Sequence, residues 1–64
     1  MATIRFDFED GRSKVVEVSE SHVQSWMRRS GQPRKGALED LVNDLFWRAL
    51  RAEFRNTPFQ WAEV

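Results

Sequence analysis

The stretch from Ala37 to Arg55, ALEDLVNDLFWRALRAEFR, restricts the fold more than any other part of the chain. Apolar residues recur at Leu38, Leu41, Val42, Leu45, Phe46 and Ala49. This is the three-and-four spacing of a helix with one buried face. At the pitch of an α-helix the six fall within an arc of roughly 140°. Asp40, Asp44, Arg48, Arg51 and Arg55 occupy the other side, and no Gly or Pro interrupts the run. Asp44 precedes Arg48 by four residues, the favourable order for a helical ion pair. Acids at the start and arginines at the end suit the helix dipole. Trp47, Leu50 and Phe54 lie outside the main arc, at the i, i+3, i+7 spacing of a second apolar stripe.

Everything else must pack on that helix. The chain has 64 residues, near the lower limit for a domain that folds alone. It contains no cysteine, so neither a disulfide nor a thiolate metal site adds stability. This composition is compatible with the cytoplasm. Ten basic and ten acidic residues cancel, so no general attraction to nucleic acid or anionic membrane follows from net charge. The start, MATIRFDF, does not read as a signal peptide. No run approaches the roughly 18 apolar residues of a membrane span.

Residues 3–18 read as a β-hairpin, with Ile4, Phe6 and Phe8 alternating with polar residues and Val16 and Val18 on the return. The turn lies at Glu9-Asp10-Gly11. A three-residue loop with Gly11 left-handed pairs Phe8 with Arg12, Phe6 with Lys14 and Ile4 with Val16. It gathers Ala2, Ile4, Phe6, Phe8, Val16 and Val18 on one face. A two-residue loop reverses the faces of one strand and puts Glu17 opposite Ile4, although it creates the charge pairs Glu9–Arg12 and Asp7–Lys14. The three-residue loop is preferred.

A short helix follows over residues 20–30, capped by Ser19 or by Ser21. Its apolar face is Val23, Trp26 and Met27, and Gly31 is the expected stop. Residues 31–36, GQPRKG, read as a loop by composition. The long helix spans 37–55 and stops ahead of Pro58. The tail, residues 56–64, is either a third strand beside the hairpin or an irregular segment on the long helix. The expected architecture is a single α+β domain of order ββαα with a candidate third strand.

No catalytic set is legible. His22 is the only histidine, placed in the first turn of a helix. No nucleophile-elbow, phosphate-loop or dinucleotide pattern occurs. One histidine without cysteines provides no transition-metal set, and no cofactor is implied. The expectation is a non-enzymatic binding or regulatory module that acts through protein contacts, as an adaptor or a small inhibitor of the phage type. Trp47, Leu50, Phe54, Phe59 and Trp61 are the candidate partner-binding residues, since interface centres favour Trp, Phe and Arg. Either this stripe meets a second copy and gives a homodimer, or Phe59 and Trp61 fold back and close it. Arg28, Arg29, Arg34 and Lys35 form a basic cluster suited to a phosphate or an acidic partner.

The segment from Lys14 to Trp26, KVVEVSESHVQSW, followed by the glycine turn at Gly31 and the long helix, resembles the ribbon-helix-helix DNA-binding proteins over about residues 14–50. The resemblance implies a dimer whose paired strands enter the major groove. The alternative function is therefore a dimeric DNA-binding regulator. Phosphate-driven affinity that falls steeply with salt would mark it.

Overall fold

The computed structural model describes residues 1–64. The order is β1 (Ala2–Phe8), β2 (Ser13–Val18), α1 (Glu20–Ser30), α2 (Arg34–Leu45), a π-helical turn (Phe46–Leu50) and β3 (Phe59–Glu63). The strands form an antiparallel sheet of order β2-β1-β3. The fold is α+β, as the sequence predicts, and the tail supplies the third strand.

The hairpin takes the register that keeps its apolar residues together. Ala2 pairs with Val18, Ile4 with Val16 and Phe6 with Lys14. At the turn the Gly11 N–H donates to the Phe8 carbonyl at 3.0 Å, and the Phe8 N–H donates to the Arg12 carbonyl at 2.9 Å. Gly11 has φ 93°, a left-handed conformation that glycine adopts without steric cost. The charge pairs of the two-residue loop do not form. Arg12 instead binds Asp10 in the turn at 2.7 Å, and Arg5 binds Asp7 along β1 at 3.1 Å. On its other side β1 pairs with β3, placing Phe8 opposite Phe59, Phe6 opposite Trp61 and Ile4 opposite Glu63.

Of the two candidate caps for α1, Ser19 takes the role and accepts from the His22 N–H at 3.2 Å. Gly31 ends the helix with φ 67° and an N–H donated to the Met27 carbonyl at 2.9 Å. The loop read from GQPRKG is shorter than expected, because α2 already begins at Arg34. Pro33 is the reason. A proline at a helix start lacks an N–H that would have no helical partner anyway, and its carbonyl accepts from the Ala37 N–H at 3.0 Å. Proline here opens the helix that composition alone assigned to loop.

The larger correction concerns the far end of the long helix. Regular α-helix stops at Leu45. Through the π turn the Arg51 N–H donates to the Phe46 carbonyl, five residues back, at 2.8 Å. Such a turn holds one extra residue. Helix ends at Leu50, not at Arg55 as expected, and residues 51–56 are turns that begin set back by one position, about 100° around the axis. Leu50 therefore takes the core position expected for Ala49, and Phe54 takes the one Glu53 would have held. Leu50 is 3% exposed and Phe54 2%, while Ala49 is exposed. The second apolar stripe does not exist as a surface.

Both helices lie on one face of the sheet. Ile4, Phe6, Phe8, Val23, Leu41, Val42, Leu50 and Phe54 share one core. The Phe8 and Phe54 rings stack at 3.7 Å, and the Arg12 guanidinium lies 4.3 Å from the Phe54 ring centre. The opposite face, with Arg5, Asp7, Val15, Glu17, Gln60 and Ala62, is exposed. No helix is long and apolar enough to cross a membrane.

Candidate functional site

The π turn separates the candidate partner-binding residues. Trp47 sits opposite Leu38 on the helix, so the set-back that buries Leu50 and Phe54 leaves it outside, 60% exposed. Leu50 and Phe54 are core and offer nothing to a partner while the fold is intact. Phe59 and Trp61, on the helix-facing side of β3, are half-buried. Phe59 packs on Phe46 at 4.8 Å and on Phe6 at 5.4 Å. The tail thus covers Phe46 and the core rather than Trp47.

Trp47 is held in place on the surface. The Arg51 guanidinium lies 4.6 Å from its ring centre, and Phe46 meets its ring edge-on at 6.3 Å. Arg48 is drawn to Asp44 at 3.0 Å, the ion pair read from the i, i+4 spacing. Arg55, with no carboxylate partner, completes a rim of arginines. A shallow groove of about 370 Å³ runs from Trp47 past Arg51 and Arg55 to Pro58. Within its lining, Asn56 turns the chain with φ 61°, the only non-glycine residue with positive φ. An indole beside unpaired guanidinium groups is chemistry for burying an aromatic contact while attracting carboxylates. Comparison with protein-family models, curated proteins and solved structures finds no match to this chain.

The basic cluster is dispersed. Arg34 lies between two carboxylates, Glu20 at 2.9 Å and Glu63 at 2.7 Å. Their hydrogen bonds raise the Arg34 pKa above its ordinary value, and Arg34 in turn holds Glu20 below the usual carboxylate range. Arg34 thereby ties α1 and β3 to the start of α2. Arg29 lies 5.1 Å from the Trp26 ring centre, and Arg28 is exposed at the end of α1. Lys35 forms no ion pair and lines a hollow with Leu38 and Trp61. The strand that the ribbon-helix-helix resemblance would pair between two chains, β2, pairs with β1 of its own chain.

His22 is engaged through Nε2, which accepts the Trp26 indole N–H at 3.3 Å. No group of three or more His, Asp or Glu side chains is placed to hold a metal ion. Arg51 and Arg55 are the site residues that sequence reasoning missed. Arg51 was within reach, because it follows Trp47 by four residues, one helical turn.

Proposed function

We propose that this chain is a small non-enzymatic binding module, acting in the cytoplasm as an adaptor or small inhibitor through protein contacts centred on Trp47. The observation that carries the reading is an indole 60% exposed yet fixed by Arg51 and Phe46. A large aromatic left in water on a chain this short of core is unspent apolar area. Ordered before binding, it loses little side-chain entropy when a partner covers it. The partner surface that fits is apolar at its centre and acidic at its margin, to meet Arg51 and Arg55.

Capture of proteins from cell lysate on immobilised chain tests this. A protein retained by wild type should be lost with Trp47→Ala and kept with Val15→Ala, on the opposite sheet face. Equal retention by Trp47→Ala, with its melting temperature unchanged, would sink the proposal. The alternative reading, a ribbon-helix-helix-like DNA-binding dimer, draws on the order strand, short helix, glycine turn, longer helix. It requires salt-sensitive affinity for duplex.

A further inference from the structure

The sheet has two free edges, and they differ. In an antiparallel sheet the backbone N–H and C=O of one residue point to the same side, and successive residues alternate. The Glu9 N–H donates to the Pro58 carbonyl at 3.0 Å, and the Val64 N–H donates to the Thr3 carbonyl at 2.8 Å. Gln60, Ala62 and Val64 therefore face β1. Phe59, Trp61 and Glu63 turn their backbone groups the other way, where no strand lies. By the same alternation Ser13, Val15 and Glu17 face outward on β2. Exposed charged side chains without ion-pair partners, Lys14 and Glu17, stand on β2. Such charges are a common device against pairing with another chain. β3 has no such guard. Its one charged side chain, Glu63, is drawn to Arg34 at 2.7 Å.

A groove accompanies the unguarded edge. Trp61 forms its apolar wall above the buried Leu38, with Arg34, Lys35 and Glu63 around it, in an open space of about 320 Å³. Arg34 is satisfied by Glu20 and Glu63. Lys35 is not, so the uncompensated charge at the groove is positive and sits at the Glu63 end. We propose that β3 receives an extended peptide segment of a partner protein as a fourth strand, its alternate side chains beside the half-buried Phe59 and Trp61 and an Asp or Glu side chain at Lys35. The free backbone row supplies the hydrogen bonds, and the groove supplies side-chain selection. This mode does not depend on Trp47, which lies on the π turn, so either site can fail without the other.

A displayed library of peptides of about six residues, the usual strand length, is the probe. Retained peptides should alternate apolar residues and carry an acid at one end. In a heteronuclear NMR titration they should shift the Phe59, Trp61 and Glu63 amides and leave those of Ser13, Val15 and Glu17 in place. N-methylation of the peptide amides facing β3 should abolish binding, while methylation of the alternate amides should not. Lys35→Glu should weaken an acidic peptide by up to about fivefold, the scale of an exposed ion pair, and exchanging the peptide's acid for lysine should restore it. Lys35 is exposed, so this variant keeps the fold. The proposal is overturned if no library peptide shifts the β3 amides, or if binding ignores backbone methylation. It is equally overturned if those amides shift on concentrating the chain alone, the sign of a second copy. Response to oligothymidylate and to no peptide would reassign the edge to single-stranded nucleic acid.

Discussion

Trp47 and Phe54 look alike in the sequence and differ most in the structure. Both are large aromatics of one predicted stripe, yet Trp47 is 60% exposed and Phe54 is 2% exposed against Phe8. Truncating a buried Phe to Ala costs about 3–5 kcal/mol. A chain of this length has a total stability of roughly 3–10 kcal/mol. Phe54→Ala should therefore remove a third or more of the stability, whereas Trp47→Ala loses chiefly a cation–π contact of about 0.5–1 kcal/mol. Urea denaturation of the two variants checks this, and similar midpoints would mean that Phe54 is not core. The local chemistry of other residues was legible. Gly11 at the hairpin, Ser19 at a cap and Gly31 at a helix end each act through their own backbone or a partner within four residues. Trp47 and Phe54 were not separable, because their fates depend on the geometry of the π turn that contains Trp47 and precedes Phe54.

That turn is the element that defeats periodicity. A pattern read at constant pitch places Ala49 inside and Phe54 outside, and one extra residue at Phe46–Leu50 exchanges them. The start of the same helix misled for the converse reason, since Pro33 signals a loop by composition but opens a helix by geometry. The set-back makes an unusual prediction. Deleting a residue from a helix normally rotates all that follows off the core. Deleting exposed Ala49 should instead remove the extra residue, restore α-helical bonding and leave Leu50 and Phe54 facing the sheet. Its stability should stay within about 1 kcal/mol of wild type, the scale of an ordinary surface change. Deleting exposed Asn43 should turn the half-buried Leu45 and Phe46 away from the core, each at a fraction of the about 1.5–3 kcal/mol that a fully buried side chain contributes, and leave the variant less stable than the Ala49 deletion. Thermal melts of the two deletions decide the matter. Equal damage from both would show that the π turn is not a removable insertion.

At the scale of the whole molecule, three elements distant in sequence meet at one guanidinium. Arg34 opens α2, Glu20 opens α1 and Glu63 ends β3. Nothing in the sequence announces the meeting, because it requires β3 to lie beside β1 and both helices to cover one face. Read in the chain, Arg34 belongs to a basic cluster; in the fold it closes the domain. The contact carries a pH signature whose sign follows from Glu20. Its pKa is lowered from an ordinary 4.5, first by the hydrogen bond from Arg34 and against the desolvation that would raise it. A carboxyl with a depressed folded pKa stabilises the fold when ionised. The contribution is present above the ordinary value and is lost as pH falls through the lower, folded one. Arg34, its own pKa raised, stays charged throughout and adds no pH dependence. Asp10 is lowered too, by Arg12, so the acid response of wild type mixes two sites and a difference measurement is needed. Glu20→Gln removes the charge while keeping the side chain's length. Its melting temperature should lie below wild type at pH 7, and the gap should close as pH falls below about 4.5. The gap should also shrink in high salt, because all three side chains are partly exposed and screened. Melts of the pair at pH 7 and pH 3 are sufficient. A gap of the same size at both pH values would mean that Glu20 acts through packing, and that Arg34 does not close the domain by charge.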